Sequence, residues 1–446
     1  ASGSVTGGEI IFSQGTVNTA QSYRMDASIP LNDLTITGNT ANNRNATVTL
    51  MINPLVLNGS LTLSNANSIL DANSNNILDV SLKGDFTNNG TYNHYQNTTT
   101  FNGGVQGILG TSSTSFHNLI INPITRVNLS RDIDVEGDLT LSRGQLVLSD
   151  YYVNLSENFI NNASYTDNAT GVILLGTQEQ EISGTGTFST LSLNNEQGAR
   201  LLNDITLTKN LNLTQGVFNI NRYLLTLGQN SDITGAPFSA KKMIESDGVI
   251  SDVGIRKYFS IYSGPEITFT YPTGTGGKYT PAIFTYSNND AVGYIRVNNI
   301  NSAHPGVIDP DRVLEYYWEV ENSGVSGVTG NIELHYNQGD VPATTNDANF
   351  WAVRTIGGTS WSKGGTELVD ENNNIITFNY TNESDLTGEY TAGEDDAFPD
   401  DIPQFTSNQD GIWSNSSIWT QTGGDPYVLT GGPNGFIVTI REEDEV

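Results

Sequence analysis

The sequence predicts an all-β protein, with a right-handed parallel β-helix followed by an antiparallel β-sandwich. Apolar and polar residues alternate through short runs such as "LTLS", "LVLS" and "ITLT", and Gly, Asn and Asp separate these runs. The same pattern recurs along the chain with no helical segment to carry a crossover, which fits coils that stack about 4.8 Å apart. An up-and-down or Greek-key β fold is the alternative that such short strands leave open.

The internal repeat is strictest between two copies in the middle of the chain. Six apolar residues of one copy recur 72 positions later in the next: Phe116, Leu119, Ile121, Ile133, Leu139 and Leu141 become Phe188, Leu191, Leu193, Ile205, Leu211 and Leu213. An earlier copy begins at 32–38 and continues at 55–63, with offsets of 85 and 78. This register predicts a repeat-containing β-helix over 32–238, with roughly 20 to 24 residues per coil.

The regions outside the repeat differ in composition. Residues 1–31 are interpreted as an N-terminal cap or the end of a preceding module. Longer aromatic strands such as "EITFTYP" and "LEYYWEVEN" predict an Ig-like or jelly-roll-like β-sandwich over 239–393. The Asp-rich segment 394–410 reads as an acidic linker, and 411–446 as the start of a further β module. That module ends within a predicted strand, so we expect the chain to be part of a longer polypeptide.

Charge and composition exclude several classes of function. The 446 residues include 48 acids, 19 bases and no cysteine, giving a formal net charge of -29. Such a surface repels nucleic acid and anionic membrane, and the chain has no disulfide or thiol chemistry. No stretch of about 18 apolar residues is present, so no membrane insertion is predicted.

Three stretches resemble the modules of a known class of protein. They are "GDFTNNGTYNHYQNTTTFNGGVQGILGTSSTSFHNLIIN", the series "RKYFSI … YPTGTGGKYTPAIFTYS … YYWEVE … LHYNQGDV", and "GIWSNSSIW … PNGFIVTI". These resemble repeated modules of giant surface proteins of Bacteroidetes exported by type IX secretion, which include SprB-like gliding-motility adhesins. The resemblance implies a filamentous, extracellular chain at the cell surface. The partners it implies are other modules of the same chain, surface polysaccharide, or the secretion and gliding machinery. The sequence departs from the class in having no recognisable C-terminal sorting domain.

An enzymatic reading has one candidate cluster. Parallel β-helices often carry polysaccharide lyases and hydrolases, whose sites combine clustered acids with Arg or Lys. The candidates within "SRDIDVEGDLTLSRG" are Asp132, Asp134, Glu136 and Asp138, beside Arg131 and Arg143. Asp134, Glu136 and Asp138 share one parity and are therefore predicted to point outward from a strand whose apolar residues point inward. We thus predict no catalytic or cofactor-binding residue and no enzymatic activity, with a lyase or hydrolase as the alternative.

The histidines and tryptophans are predicted to be structural. The four histidines, His94, His117, His304 and His335, lie far apart in the sequence without metal-ligand spacing. Trp318, Trp351 and Trp361 alternate with apolar residues in predicted strands, so core packing is favoured over sugar stacking. Trp413 and Trp419 are predicted to cap the next module.

Calcium is the candidate ion, because carboxylates cluster at a predicted domain junction where an ion would stiffen a hinge. The predicted ligands are Asp309, Asp311, Glu394, Asp395, Asp396, Asp400 and Asp401. A hydrated acidic linker without an ion is the favoured interpretation, since the sequence has no EF-hand or nonapeptide RTX pattern.

These observations predict a structural or adhesive module of a large secreted cell-surface protein. The alternative is a β-helix protein that binds or cleaves polysaccharide.

Overall fold

The fold is all-β, with a parallel β-solenoid of about 11 turns followed by antiparallel sheets. The computed structural model describes residues 7–15, 18–168, 170–357, 360–364, 368–381, 383–399, 404–423, 429–433, 437–442 and 444–445. Parallel pairing throughout the repeat confirms the predicted β-helix class and excludes a Greek-key arrangement there. Among the described residues, no helix is long and apolar enough to cross a membrane.

From Asp33–Thr37 onward each turn contributes three strands, and each strand pairs in parallel with the third strand after it except at Thr91–Asn93, so the solenoid has three faces. In the first turn, Glu9–Ser13 and Gln21–Met25 pair with the second strand after them. Face 1 consists of Glu9–Ser13, Asp33–Thr37, Leu61–Leu63, Phe86–Asn88, Val105–Leu109, Arg126–Leu129, Gln145–Ser149, Ser164–Asp167, Thr187–Phe188, Ile205–Leu207, Leu224–Leu227 and Gly254–Phe259. Face 2 consists of Gln21–Met25, Ala46–Leu50, Ser68–Asp71, Thr91–Asn93, and then Ser115–Phe116, Ile133–Val135, Val153–Leu155, Val172–Leu174, Leu191–Asn194, Leu211–Gln215 and Ile233–Thr234. Face 3 consists of Leu55–Leu57, Val80–Leu82, Thr98–Phe101, Asn118–Ile121, Leu139–Leu141, Phe159–Asn161, Gln180–Ser183, Ala199–Leu201, Phe218–Asn221, Ile244–Ser246 and Thr273–Thr275.

The alternation of the sequence becomes columns of apolar side chains inside the solenoid. Leu139 lies directly between Leu119 and Phe159 of the adjacent turns, and all three are fully buried. The intervening Thr140 faces outward between Ile120 and Ile160. The hydrophobic effect therefore fixes the register, because a slip of one residue would expose every column.

The turns are less uniform than the sequence predicted. Their length ranges from 19 residues, between Gln145 and its partner Ser164, to 30 residues, between Leu225 and its partner Ile255. The extra residues form corner loops, so the strands stay stacked while the loops vary in length.

Successive copies of the sequence repeat occupy different faces. The strand Asp33–Thr37 on face 1 has its copy eleven strands later, Asn118–Ile121 on face 3, and the next copy, Leu191–Asn194 on face 2, follows after another eleven. Eleven strands are one short of four turns, so each copy is rotated by one face relative to the one before it. The irregular sequence offsets of 85 and 78 residues also correspond to a separation of eleven strands.

An aromatic cluster in the core shows the equivalence of two copies. Phe86, Tyr92 and Phe116 have ring centroids 5.6, 5.8 and 6.2 Å apart. Their counterparts Phe159, Tyr165 and Phe188 are 5.8, 5.3 and 6.3 Å apart. The copies therefore share their packing although they lie on different faces.

Buried amides join adjacent turns in both copies. Gln106 Nε2 donates to the carbonyls of Leu82 and Gly84, at 3.0 and 2.7 Å, and its Oε1 accepts from a main-chain N–H. Gln180 repeats all three bonds, donating to Leu155 and Glu157 at 3.1 and 2.6 Å. These bonds satisfy corner backbone groups that would otherwise be buried without partners, which explains part of the Asn and Gln content.

Both predicted boundaries of the solenoid are shifted in the structure. The parallel ladder begins at Glu9, so the described residues before 32 form its first turn. It also continues past 238, through Ile244–Ser246 and Thr273–Thr275 on face 3. Gly254–Phe259 pairs in parallel with Leu224–Leu227 and antiparallel with Gly293–Ile300. A single strand thus ends the parallel ladder of face 1 and begins the antiparallel region.

The antiparallel region contains two sheets that pack on a shared aromatic core. One continues face 1 through Gly293–Ile300, Tyr317–Ser323, Gly388–Gly393, Trp351–Ile356 and Ser360–Lys363. The other consists of Tyr262–Tyr271, Ala282–Asn289, Gly330–His335, Ile375–Tyr380 and Val369–Asp370, and Lys278–Tyr279 forms a hairpin with Thr273–Thr275. Phe259 of the first sheet contacts Phe269 and Phe284 of the second, with centroids 5.8 and 5.3 Å apart.

Short elements complete the chain. The 3₁₀ helices are Pro310–Arg312, Gln338–Asp340, Asp347–Asn349, Glu383–Asp385, Asp395–Ala397 and Ser416–Ile418. A small sheet at the C-terminal end contains Gln404–Ser407, Trp419–Gly423 and Ile437–Thr439.

Candidate functional site

A cleft lined by charged, hydroxyl and aromatic side chains lies where the solenoid meets the antiparallel sheets. It has a volume of about 310 Å³ and is lined by Asp232 and neighbouring residues of the solenoid corner 228–232, by Lys257, and by the rings of Tyr262 and Tyr286. Ile261, on its rim, is 66% exposed. The mixture of rings, hydroxyls and a carboxylate is suited to binding a small polar molecule with an apolar face.

Lys257 is held at the base of this cleft. Its ammonium donates to the carbonyls of Gly228 and Gln229, at 2.8 and 2.9 Å, and lies 5.6 and 5.7 Å from the ring centroids of Phe259 and Phe269. Burial lowers the pKa of Lys257 to about 8. The amine thus donates to two carbonyls and holds the corner 228–232 against the strand Gly254–Phe259.

The lowered pKa of Lys257 predicts a rise in stability at alkaline pH. The unfolded chain keeps the lysine proton up to its ordinary value of 10.5, whereas the folded chain releases it near pH 8. The free energy of unfolding should therefore increase from about pH 8 to about pH 10, because the unfolded state binds more protons there. Urea titrations across this range measure the slope.

Lys257→Met should flatten that slope, and Lys241→Met, which changes an exposed lysine, should leave it intact. A slope that is unchanged in Lys257→Met would contradict the assignment. The range stops near pH 10 because buried tyrosines such as Tyr165 and Tyr271, whose pKa burial raises, act in the opposite direction above it.

His304 lies in a second surface cleft, of about 330 Å³, with Tyr317 and Glu389. Its Nδ1 accepts from the N–H of Gly306 at 3.0 Å, so Nε2 carries the proton and donates to Glu389 Oε2 at 3.1 Å. Both ring nitrogens are engaged, and the ring packs against Trp361. This arrangement orders the loop and leaves no nitrogen for a metal.

The predicted acidic cluster of the solenoid faces outward and joins adjacent turns. Asp134 Oδ1 accepts from Asn154 Nδ2 at 2.8 Å, and Asp138 Oδ1 accepts from the main-chain and side-chain nitrogens of Asn158, both at 3.0 Å. Asp132 accepts from the N–H of Tyr152 at 3.1 Å. Glu136 is also exposed, as the parity predicted.

The two arginines near this cluster point to backbone carbonyls. Arg131 donates to Gly110 at 3.2 Å, and Arg143 donates to Pro123 and Asn122, both at 3.2 Å. Neither arginine is joined to the neighbouring acids by these bonds. The structure thus gives five of the six members of the predicted cluster a hydrogen bond between adjacent turns, and Glu136 lies 3.7 Å from His94 Nε2.

His94 lies where face 2 changes from one sheet to another. Its Nδ1 donates to the carbonyl of Tyr95 at 2.8 Å, so Nε2 accepts from Ser115 Oγ at 3.0 Å. The contact bridges the strands Thr91–Asn93 and Ser115–Phe116, which are not paired. His335 lies 3.9 Å from Glu333, and burial lowers its pKa.

The acidic segment after the antiparallel sheets is packed rather than hydrated, at least as far as it is described. Arg312 donates to Glu394 at 2.8 Å and to Asp396 at 2.5 Å, and Lys363 pairs with Asp395 at 2.9 Å. The next two residues, Ala397 and Phe398, are buried with Val313, Val353 and Trp361. The linker prediction is therefore wrong for 394–398, because distant cations neutralise its charge.

The predicted calcium ligands do not converge where they are described. Asp309 caps a 3₁₀ helix through the N–H of Asp311, and Asp400 and Asp401 lie outside the described residues. Within the described part of the chain, no group of three or more histidine, aspartate or glutamate side chains could hold a metal ion. Calcium binding stays a prediction that this geometry does not support.

The tryptophans are largely buried. Trp318 and Trp361 are 0% and 3% exposed, whereas Trp351 is half-buried. Trp413 is 38% exposed and stacks edge-on against the buried Trp419, with centroids 5.1 Å apart.

Comparison with known proteins gives no relative. No family model, curated protein or solved structure matches this chain.

Sequence reasoning missed the cleft around Lys257. The basic character of 241–257 was visible, but the carbonyls and rings that surround the amine come from segments brought together only by the fold. The buried pair formed by Lys278 and Asp340 was missed for the same reason, since 62 residues separate its members.

Proposed function

We propose that this chain is a structural and adhesive module of a large secreted cell-surface protein, acting as an extended stalk or surface-binding segment. The observation that carries the proposal is the eleven-strand repeat. It keeps the core constant while the outward residues of equivalent strands differ, as with Asp134 and its counterpart Thr206. Selection for a rigid body with a free outer surface would produce this pattern.

The resemblance to type IX secreted proteins of Bacteroidetes supports the same proposal. It favours a module outside the cell, joined to other modules of one chain and in contact with surface polysaccharide or the secretion and gliding machinery. The finer architecture belongs to the proposal too: a right-handed helix, and an Ig-like or jelly-roll-like sandwich built from the two antiparallel sheets.

A polysaccharide-binding role is the second candidate, and the cleft around Lys257 favours it. Tyr262 is half-buried at its edge, and Asp232 offers a carboxylate to sugar hydroxyls. This role requires binding without cleavage.

Solution scattering and activity assays test the proposal together. A compact chain of this length would have a radius of gyration of about 22 Å, and we expect a clearly larger value with an asymmetric distance distribution. We also expect no turnover when the purified chain is incubated with soluble or insoluble polysaccharides.

Cleavage that disappears in Asp134→Asn or Asp138→Asn would overturn the proposal in favour of a lyase or hydrolase. A radius of gyration near the compact value would contradict the stalk.

A further inference from the structure

A lysine and an aspartate meet where the end of the solenoid contacts the antiparallel sheets. Lys278 lies in the hairpin that follows the last strand of face 3, and Asp340 ends the 3₁₀ helix Gln338–Asp340. The Nζ atom of Lys278 contacts Asp340 Oδ1 and donates to Asn301 Oδ1 at 3.0 Å. The two residues are 62 positions apart in the sequence.

The carboxyl group of Asp340 is buried and incompletely bonded. Its side chain is 0% exposed, and Oδ2 has no hydrogen-bond partner among the described residues. Burial raises the pKa of Asp340 and outweighs the opposing effect of the Lys278 ammonium. A charged oxygen without a partner is costly in such a place, so burial works against the ionised form of Asp340.

A second lysine near a buried aspartate provides a contrast within the same chain. The side chain of Asp167 is also 0% exposed, with Lys209 Nζ 3.9 Å from Oδ1. Both oxygens of Asp167 are bonded, however, since Thr190 donates its N–H at 2.9 Å and its hydroxyl at 3.0 Å. Asp167 is therefore a satisfied carboxylate, and Asp340 is not.

We propose that Lys278 and Asp340 condense to form an intramolecular amide bond. Transfer of one proton within the ion pair gives a neutral amine and a carboxylic acid, the forms that react. The amine nitrogen attacks Cγ of Asp340, a C–N bond forms, the C–OH bond breaks, and the hydroxyl leaves as water with a proton from the nitrogen. The reaction needs no oxidant and no further reactant.

The surroundings favour the product over the ion pair. Condensation removes one carboxyl oxygen, so the unpartnered Oδ2 no longer has to be accommodated as part of an anion. The nitrogen keeps one hydrogen after the reaction, which can still be donated to Asn301. The bond would also close a covalent loop between the end of the solenoid and the antiparallel region, which restricts the unfolded chain.

Mass spectrometry of the purified chain tests the bond. We expect an intact mass lower than the sequence mass by one water, and a branched peptide after digestion that joins the segment containing Lys278 to the segment containing Asp340. Lys278→Arg keeps the charge but should abolish both signals, as should Asp340→Ala. Lys209→Arg is the matched control and should leave both signals unchanged.

A succinimide at Asp247–Gly248 would give the same loss of mass, and the branched peptide distinguishes the two. A deficit that persists in Lys278→Arg, or an intact mass equal to the sequence mass in the folded wild-type chain, would overturn the proposal. The result does not depend on the adhesive role, because it is read from the chain alone.

Discussion

Replacing Leu139 with aspartate is expected to lower the free energy of unfolding by more than about 4 kcal/mol. Leu139 is fully buried between Leu119 and Phe159 in adjacent turns. The variant loses the burial of a leucine, which costs about 2 to 5 kcal/mol when the side chain is truncated, and it places a carboxyl group in the column. Chemical denaturation followed by circular dichroism measures the loss.

Thr140→Asp is the matched control, since it places the same group on the outward side of the same strand. It should change stability by less than about 1 kcal/mol. Because a solenoid can open locally, hydrogen exchange should show the Leu139→Asp damage centred on the turns that contain Leu119 and Phe159. Equal effects of the two substitutions would disprove the inward assignment.

Phe188→Ala should cost about 3 to 5 kcal/mol, because a fully buried ring is removed from the core cluster. Phe188 packs edge-on against Phe159 and Tyr165, with centroids 5.3 and 6.3 Å away. These neighbours lie in paired strands of two different faces, so we expect them not to fill the cavity that the substitution leaves. Thermal and urea unfolding give the difference.

The equivalent change in the preceding copy, Phe116→Ala, should cost the same to within about 1 kcal/mol if the copies share their packing. Thr187→Ala, at the exposed residue next to Phe188, should be nearly neutral. A large cost at one phenylalanine and a small cost at the other would show that the rotated copies are not energetically equivalent.

The solenoid could be predicted from the sequence because its information is local. Alternation marks which residues point inward, and the 72-residue register of Leu139 and Leu211 requires that the inward columns be continuous. The rotation of the copies could not be predicted in the same way, since a fixed residue offset does not state how many strands it contains. That number depends on where corners such as the one at Gln180 divide the chain.

The junction could not be predicted because its contacts join distant segments. In the sequence, Glu394 and Asp396 indicate a hydrated linker. In the structure, Arg312, more than 80 positions earlier, lies beside them and donates to both. The predicted end of the solenoid, at 238, is too early, because the change to aromatic residues precedes the change in strand direction. Gly254–Phe259 has the aromatic composition of the antiparallel region but still pairs in parallel with Leu224–Leu227 of the solenoid.

The double pairing of Gly254–Phe259 determines how force would travel through the molecule. A flexible linker between two domains lets them reorient, and tension on one end extends the linker before the force reaches either domain. Here the same six-residue strand is hydrogen-bonded along one edge to Leu224–Leu227 and along the other to Gly293–Ile300. Tension would therefore pass directly from one ladder to the other, and bending at this point would require backbone hydrogen bonds to break rather than dihedral angles to rotate.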